Sequence, residues 1–340
     1  MGKEGLNIVK RALLAGRLNR ATNVYIIIII AGLVFMLLPS FVPAYLRDIL
    51  TKVFILAIFG MSLNLLVGYT GLFSLGHAAY FGAAAYTSSV LMVHCGVESF
   101  WLVAPAGILM AVLLASFFGF VAVRLHGTYF VFVTAAFGQL LYGVAVKWQT
   151  VTGGTNGLVN TAYPDLGLPW FTMNAMSFYY LVFVVFVISL LLLYRLVKSP
   201  FGVALQGIRD SETRMRSLGY NTWLYKYIAF VVAGLLAGVA GVLFGYHSTL
   251  LAPVHLDITT STLVALVVII GSDRVVWGPL VGAFVIAFVE YYSSIYISER
   301  WPIIMGGFLV ISVMFLRGGI SIHLLKLWKK VEYRYGSIKG

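Results

Sequence analysis

Ten stretches of this sequence are apolar, and most are long enough to cross a lipid bilayer: about residues 25–46, 50–67, 74–93, 101–123, 127–146, 177–197, 226–247, 258–271, 276–294 and 301–317. A spanning helix needs about 20 predominantly apolar residues, because the hydrocarbon core is about 30 Å thick. The composition agrees. Of 340 residues, 61% are hydrophobic and 10% charged, where ordinary soluble domains carry about 25% charged residues. The expected fold class is an all-α polytopic membrane protein with about ten transmembrane segments, some of them short or broken.

The net charge is +12, which in a soluble chain would raise the question of nucleic acid. The placement of the charge argues for a membrane instead. Residues 1–23 carry five Lys/Arg, residues 195–226 six and residues 317–340 six. Such clustering is what the positive-inside rule expects of cytoplasmic segments. Starting the N-terminus inside and alternating through ten spans puts all three basic stretches on the same side, with both termini cytoplasmic. Asp48, Glu98, Asp165, Asp257 and Glu299 then fall outside. The organisation expected is a basic amphipathic cytoplasmic segment, 1–23, a transmembrane domain, 24–320, and a basic cytoplasmic tail, 321–340. Within the domain lie an external loop, 148–176, and a cytoplasmic loop, 198–225. The apolar run after residue 24 has no small-residue cleavage site behind a short core, so it reads as an uncleaved span. Cys95 is the one cysteine, which rules out an internal disulfide framework.

One stretch breaks the apolar pattern. "GYTGLFSLGHAAYFGAAAY", residues 68–86, opens with glycines, hydroxyls and a His before it turns apolar. "GSDRVVWGPLVGAFVIAFVEYY", residues 271–292, opens in a similar way. Short or Gly-interrupted segments in the two halves of a transporter often mark its pathway. Small residues four apart recur at Ala78 and Gly82, Gly234 and Gly238, Gly241 and Gly245, and Gly278 and Gly282. Such pairs let helix backbones approach closely in lipid. In the external loop, Tyr163, Trp170 and Phe171 suggest a surface lying on the bilayer or against a partner.

Catalytic signatures are missing. There is no GxxxxGK[ST] phosphate loop, no zinc spacing and no GxSxG elbow. The sequence offers no catalytic residue, metal ligand or cofactor site. His77 and Glu290 are the only ionisable candidates inside a span, and Glu290, beside Tyr291 and Tyr292, reads as snorkelling to the interface. The cytoplasmic stretch "SPFGVALQGIRDSETRMRSLGYNTWLYK", residues 199–226, is more informative. Pro200 can start a short helix, Asp210 or Ser211 can cap a second, and Gly219 can close it. Leu205, Ile208, Met215 and Leu218 form an apolar stripe. The pair either floats on anionic headgroups through Arg209, Arg214 and Arg216 or docks into a cytoplasmic protein.

Four stretches in this order carry a family resemblance: "LNLLVGYTGLFSLGHAAYFGAAAYT" (63–87), "RLHGTYFVFVTAAFGQLLYGVAVKWQTVTGGTNGL" (124–158), "SPFGVALQGIRDSETRMRSLGYNTWLYKYIAFVVAGLLAGVAGVLF" (199–244) and "WGPLVGAFVIAFVE" (277–290). Over roughly residues 50–320 the chain resembles the LivM-type permease subunit of branched-chain amino acid ABC transporters. It departs from that pattern at Phe73, where the family often has Gln, and at Ser272, Asp273 and Arg274, where the family is glycine-rich. The resemblance implies a transport subunit without its own ATPase site, in a bacterial or archaeal plasma (inner) membrane. It implies a second, homologous permease, two ATP-binding subunits and an extracytoplasmic solute-binding protein as partners, beside membrane lipid. It also implies a coupling loop at 199–219, with Gly207, Arg209, Asp210 and Glu212 at the matching positions. Related permeases carry urea, short amides or other amino acids, and an ATP-independent channel or secondary transporter is the alternative of another class.

The break at 68–86 then gains a reading. Gly68, Gly71 and Gly76 let the chain turn at membrane depth, which is tolerated only in protein or beside water. Thr70, Ser74 and His77 face the substrate pathway or hold neighbouring helices, while Phe73, Tyr80 and Phe81 supply an apolar wall.

Overall fold

A computed structural model describes residues 35–97, 99–160, 163–167 and 173–296, and beyond them residues 303, 306–307, 310, 314 and 318–323. The basic segment 1–23, most of the spans expected at 25–46 and 301–317, most of the tail, and Trp170 and Phe171 lie outside the described residues. The chain divides at Arg47/Asp48 into two compact units. The described part of the first holds a 3₁₀ turn, Leu38–Ser40, and the opening of helix α1. The second holds every candidate site residue.

The helices follow the apolar runs. Those of six residues or more among the described residues are α1 (Ala44–Asn64), α2 (His77–Cys95), α3 (Phe100–Ala122), α4 (Thr128–Lys147), α5 (Ala175–Lys198), α6 (Pro200–Asp210), α7 (Glu212–Ser217), α8 (Thr222–His247), α9 (Ile258–Gly271) and α10 (Gly278–Tyr296). Five are long and apolar enough to cross a membrane: α1 with its extension to Thr70, α3, α4, α5 and α8. The chain is a multi-pass membrane protein. Helices α9 and α10 are apolar but shorter.

Helix α1 is the centre of the fold, with Val53, Phe54, Ile55, Ala57, Ile58 and Phe59 all closed to solvent. A helix apolar on every face belongs inside a bundle. Helix α8 packs against α2 and α3 through its glycines. A Cβ on Gly234 or Gly238 would overlap the methyls of Ala115 and Ala111 on α3, and one on Gly241 would overlap the backbone carbonyl of Phe81 on α2. The paired small residues therefore serve close backbone approach, as the spacing predicts. The outward faces of α3 (Leu109, Leu113, Phe117), α5 (Val184, Ile188, Leu191) and α8 (Ile228, Leu235) are apolar, as lipid requires.

The described residues are mostly helical, as expected of an all-α fold, with one two-residue ribbon in which Leu158–Val159 (β1) pairs antiparallel with Leu250–Leu251 (β2). That ribbon folds part of the 148–176 loop back onto the protein. The Asn160 side-chain amide donates to the carbonyl of Gly245 at 3.1 Å, and its backbone N–H donates to that of Thr249 at 2.9 Å. A buried backbone must find partners, and the end of α8 supplies them. Glu290 does not simply snorkel, because its Oε1 accepts from Lys52 Nζ of α1 at 2.8 Å. Leu218 leaves the apolar stripe of the 198–225 loop and is 66% exposed.

Candidate functional site

The break after α1 is built in two stages. Residues Leu65–Thr70 widen into a π-helical turn, a form that concentrates at functional sites. Gly71 then takes a left-handed φ of +74° and donates its N–H to the Leu66 carbonyl. That conformation is open to glycine at little cost. Five residues of irregular backbone follow before α2 starts at His77.

This irregular backbone is wrapped in protein. The Leu75 N–H donates to Thr134 Oγ1 of α4 at 3.3 Å, and the Ala78 N–H donates to Ser261 Oγ of α9 at 2.9 Å. Ser261 thus satisfies one of the N–H groups that a helix start leaves without an internal partner. The amide of Asn64 donates to the Val275 carbonyl at 3.0 Å, and a Cβ on Gly68 would overlap the carbonyl of Asp273. The two broken stretches read from the sequence, 68–86 and 271–292, therefore meet.

Of the six pathway candidates, Thr70, Ser74, His77, Tyr80 and Phe81 are buried, and Phe73 is half-buried. The Thr70 hydroxyl donates to the Leu66 carbonyl. His77 lies 2.8 Å from Ser62 Oγ of α1, and that hydroxyl itself lies 2.6 Å from the Phe59 carbonyl. A serine has one proton to give, and the Phe59 carbonyl accepts it, so the Ser62 oxygen accepts from His77 Nε2–H. The imidazole also stacks on Phe59, and Phe59 stacks on Phe81 with ring centres 4.4 Å apart. His77, Phe81, Phe59 and Ser62 thus form one lock between α1 and α2. Ser74 Oγ is buried with no hydrogen-bond partner among the described residues.

The helical pair α6 and α7 lies against the break. Ser199 caps α6 over Pro200, Ser211 caps α7, and Gly219 closes the pair at φ +87°. Arg209, near the end of α6, reaches the carbonyl of Gly68 in the π-helical turn through Nη1. Its Nη2 pairs with Asp210 at 3.1 Å. Gly207 gives room to Met215, whose sulfur would lie 2.8 Å from an added Cβ. Glu212 points inward. Its Oε1 accepts from Arg216 at 2.6 Å, Thr222 at 3.0 Å and Lys226 at 3.0 Å, while Oε2 lies 3.4 Å from His126 in the α3–α4 connection. Burial alone raises the Glu212 pKa. The bond and charge of Lys226, with the bonds from Thr222 and Arg216, outweigh that effect and pull it to about 2. Gly207 and Glu212 therefore shape the loop, whereas Asp210 faces out from it.

Three exposed apolar residues of this loop escaped the sequence reading as a surface: Val203, Leu218 and Tyr220. Gln139 was not singled out either, although it is the one side-chain amide in the run 127–146, and Asp257 was read only as an external carboxylate. Among the described residues, no group of three His, Cys, Asp or Glu converges as metal ligands.

Comparison with known proteins agrees with this picture. A family model described as "Branched-chain amino acid transport system / permease component" matches residues 45–316. The high-affinity branched-chain amino acid transport system permease protein LivM of Escherichia coli (strain K12) is 27% identical over 89% of this chain and 75% of its own length. The LivM protein of Salmonella typhimurium is 28% identical over 86% of this chain and 73% of its own. The permease protein LivH of Salmonella typhimurium is 21% identical over 76% of this chain and 88% of its own. No solved structure matches.

Proposed function

The chain belongs to the family of branched-chain amino acid transport system permease components, and from that membership we propose that it is one permease subunit of an ATP-driven importer of branched-chain amino acids. It forms the translocation pathway with a second, related permease. Two ATP-binding subunits dock beneath, and an extracytoplasmic solute-binding protein delivers the solute. The complex sits in a bacterial or archaeal plasma membrane. Similarity to both LivM and LivH, two permease proteins named for the same kind of transport system, supports the pairing of related chains. This chain is a transport subunit, with nucleotide chemistry on other chains.

One observation carries the mechanism: Arg209 of the cytoplasmic loop holds the Gly68 carbonyl at the break in α1. ATP-driven closure of the ATP-binding subunits moves α6 and α7, which they grip through Asp210 and the exposed Leu218 and Tyr220. Arg209 passes that movement to the π-helical turn, where backbone held by few intrahelical bonds yields most easily. Thr70, Phe73, Ser74, His77, Tyr80 and Phe81 then shift with the end of α2, and the pathway changes the side to which it opens. Purification in mild detergent with mass spectrometry of the associated chains tests the assembly. Two ATP-binding proteins and a second permease of similar size are expected. Recovery of the chain alone, where a known importer stays intact, would overturn it.

A further inference from the structure

The outward face of α4 is apolar at Tyr129, Phe132, Leu140 and Val144, but it carries one exposed amide, Gln139, whose Nε2 donates to Asp257 Oδ1 at 2.6 Å. Asp257 caps α9, with Oδ2 accepting from Thr259 Oγ1 at 2.8 Å. Thr259 and Thr262 are exposed beside it. A shallow hollow on the same face is lined by Gln139, Leu140, Gly143 and Lys147.

The depth of this pair follows from helix length. Helix α4 starts beside His126, which lies on Glu212 of α7. At about 1.5 Å per residue, Gln139 lies roughly 17 Å from the start of α4 and roughly 12 Å from its end, within a hydrocarbon core about 30 Å thick. The bond from Gln139 holds Asp257 at the same level, inside the span, where the sequence reading puts Asp257 outside the membrane. A carboxylate facing lipid at that depth is costly, and such groups face a water-filled cavity or the bundle interior. Among the described residues, no Lys, Arg or His forms an ion pair with Asp257, and its side-chain partners Gln139 and Thr259 are neutral.

The geometry points to Gln139 and Asp257 as a polar station on the wall of the translocation pathway, where the Asp257 carboxylate receives the ammonium group of a passing amino acid. The inference rests on the proposed importer function and names the solute group that this chain selects. Gln139 fixes one carboxylate oxygen and Thr259 the other, so the charge is aimed while the exposed side stays open. Contact with neutral donors alone leaves the negative charge uncompensated until a cation arrives. Wide exposure keeps the contact weak enough for the solute to leave.

The test uses the complete complex in liposomes, with Cys95→Ser to remove the native thiol and Ala136→Cys as the probe. Ala136 is exposed one turn from Gln139 and lies roughly 17 Å along α4 from Lys147, so the Gln139–Asp257 contact survives and Lys147 does not set the rates. Cationic and anionic methanethiosulfonate reagents of similar size are compared. The cationic reagent is expected to react about tenfold faster, as one nearby unit charge in a wet passage predicts. Asp257→Asn should bring the ratio close to one, since Asn caps a helix as well as Asp does. The same variant should raise the KM for leucine about tenfold, because the Asn oxygen still accepts from the ammonium group but without the negative charge that strengthens the bond. No reaction with either reagent, equal rates with Asp257 present, or an unchanged KM would each overturn the station. A wild-type complex that carries no leucine would overturn the importer function instead, and the rate ratio would still decide the cation preference of Asp257.

Discussion

Glu212 shows how a residue of the loop between α5 and α8 acts through its own chain. Its carboxylate joins α7, the start of α8 and the α3–α4 connection, and one partner, Lys226, is 3% exposed. Glu212→Gln leaves that buried ammonium without its counter-charge, a loss of about 3 kcal/mol. Its folded pKa, about 2, lies below its ordinary 4.5. The stabilisation is therefore complete above about pH 4.5 and fades as pH falls towards 2. Thermal unfolding of the purified complex should show a wild-type advantage over Glu212→Gln at pH 7 that shrinks below pH 4.5. An advantage independent of pH would refute the charge account. The place of Glu212 in the loop was legible, but its partners come from three separate segments, so its inward direction was not. His77 is similar: its type and position were readable, while its bond to Ser62 depends on how α2 folds back on α1.

At the scale of elements, the apolar runs located α2 to α5 and α8 to α10 to within a few residues, because lipid or a buried bundle tolerates little else, whereas α1 begins at Ala44, inside the run expected to end at 46. The Gly-rich spacing on α8 also carried its meaning. Gly238→Leu should drive a side chain into Ala111 of α3 and cost about 1–3 kcal/mol by overpacking, read as a lower unfolding temperature in detergent. Leu235→Ala, on the outward face, should change that temperature little. Equal effects would contradict the assignment of the two faces. The β1–β2 ribbon was not legible, since two-residue strands have no period to detect and their partners stand 90 residues apart. Between elements, Arg209→Gln removes the charged bond from α6 to the π-helical turn. Solute carried per ATP hydrolysed should fall about tenfold, in line with a lost hydrogen bond to a charged donor, with assembly intact. An unchanged ratio would remove Arg209 from the coupling route.

For the whole molecule, family membership and a buried, broken central helix meet in one account: a permease whose pathway is switched from the cytoplasmic side. The class of protein was legible from composition and from four ordered stretches of sequence. The wall of the pathway was not, because Gln139 and Asp257 stand 118 residues apart and only folding brings them to one level of the membrane. Uptake of labelled leucine by the reconstituted complex tests the account most directly. It predicts accumulation against a gradient that requires both ATP and the solute-binding protein; uptake that proceeds equally without ATP would contradict it and make the chain a channel or secondary carrier.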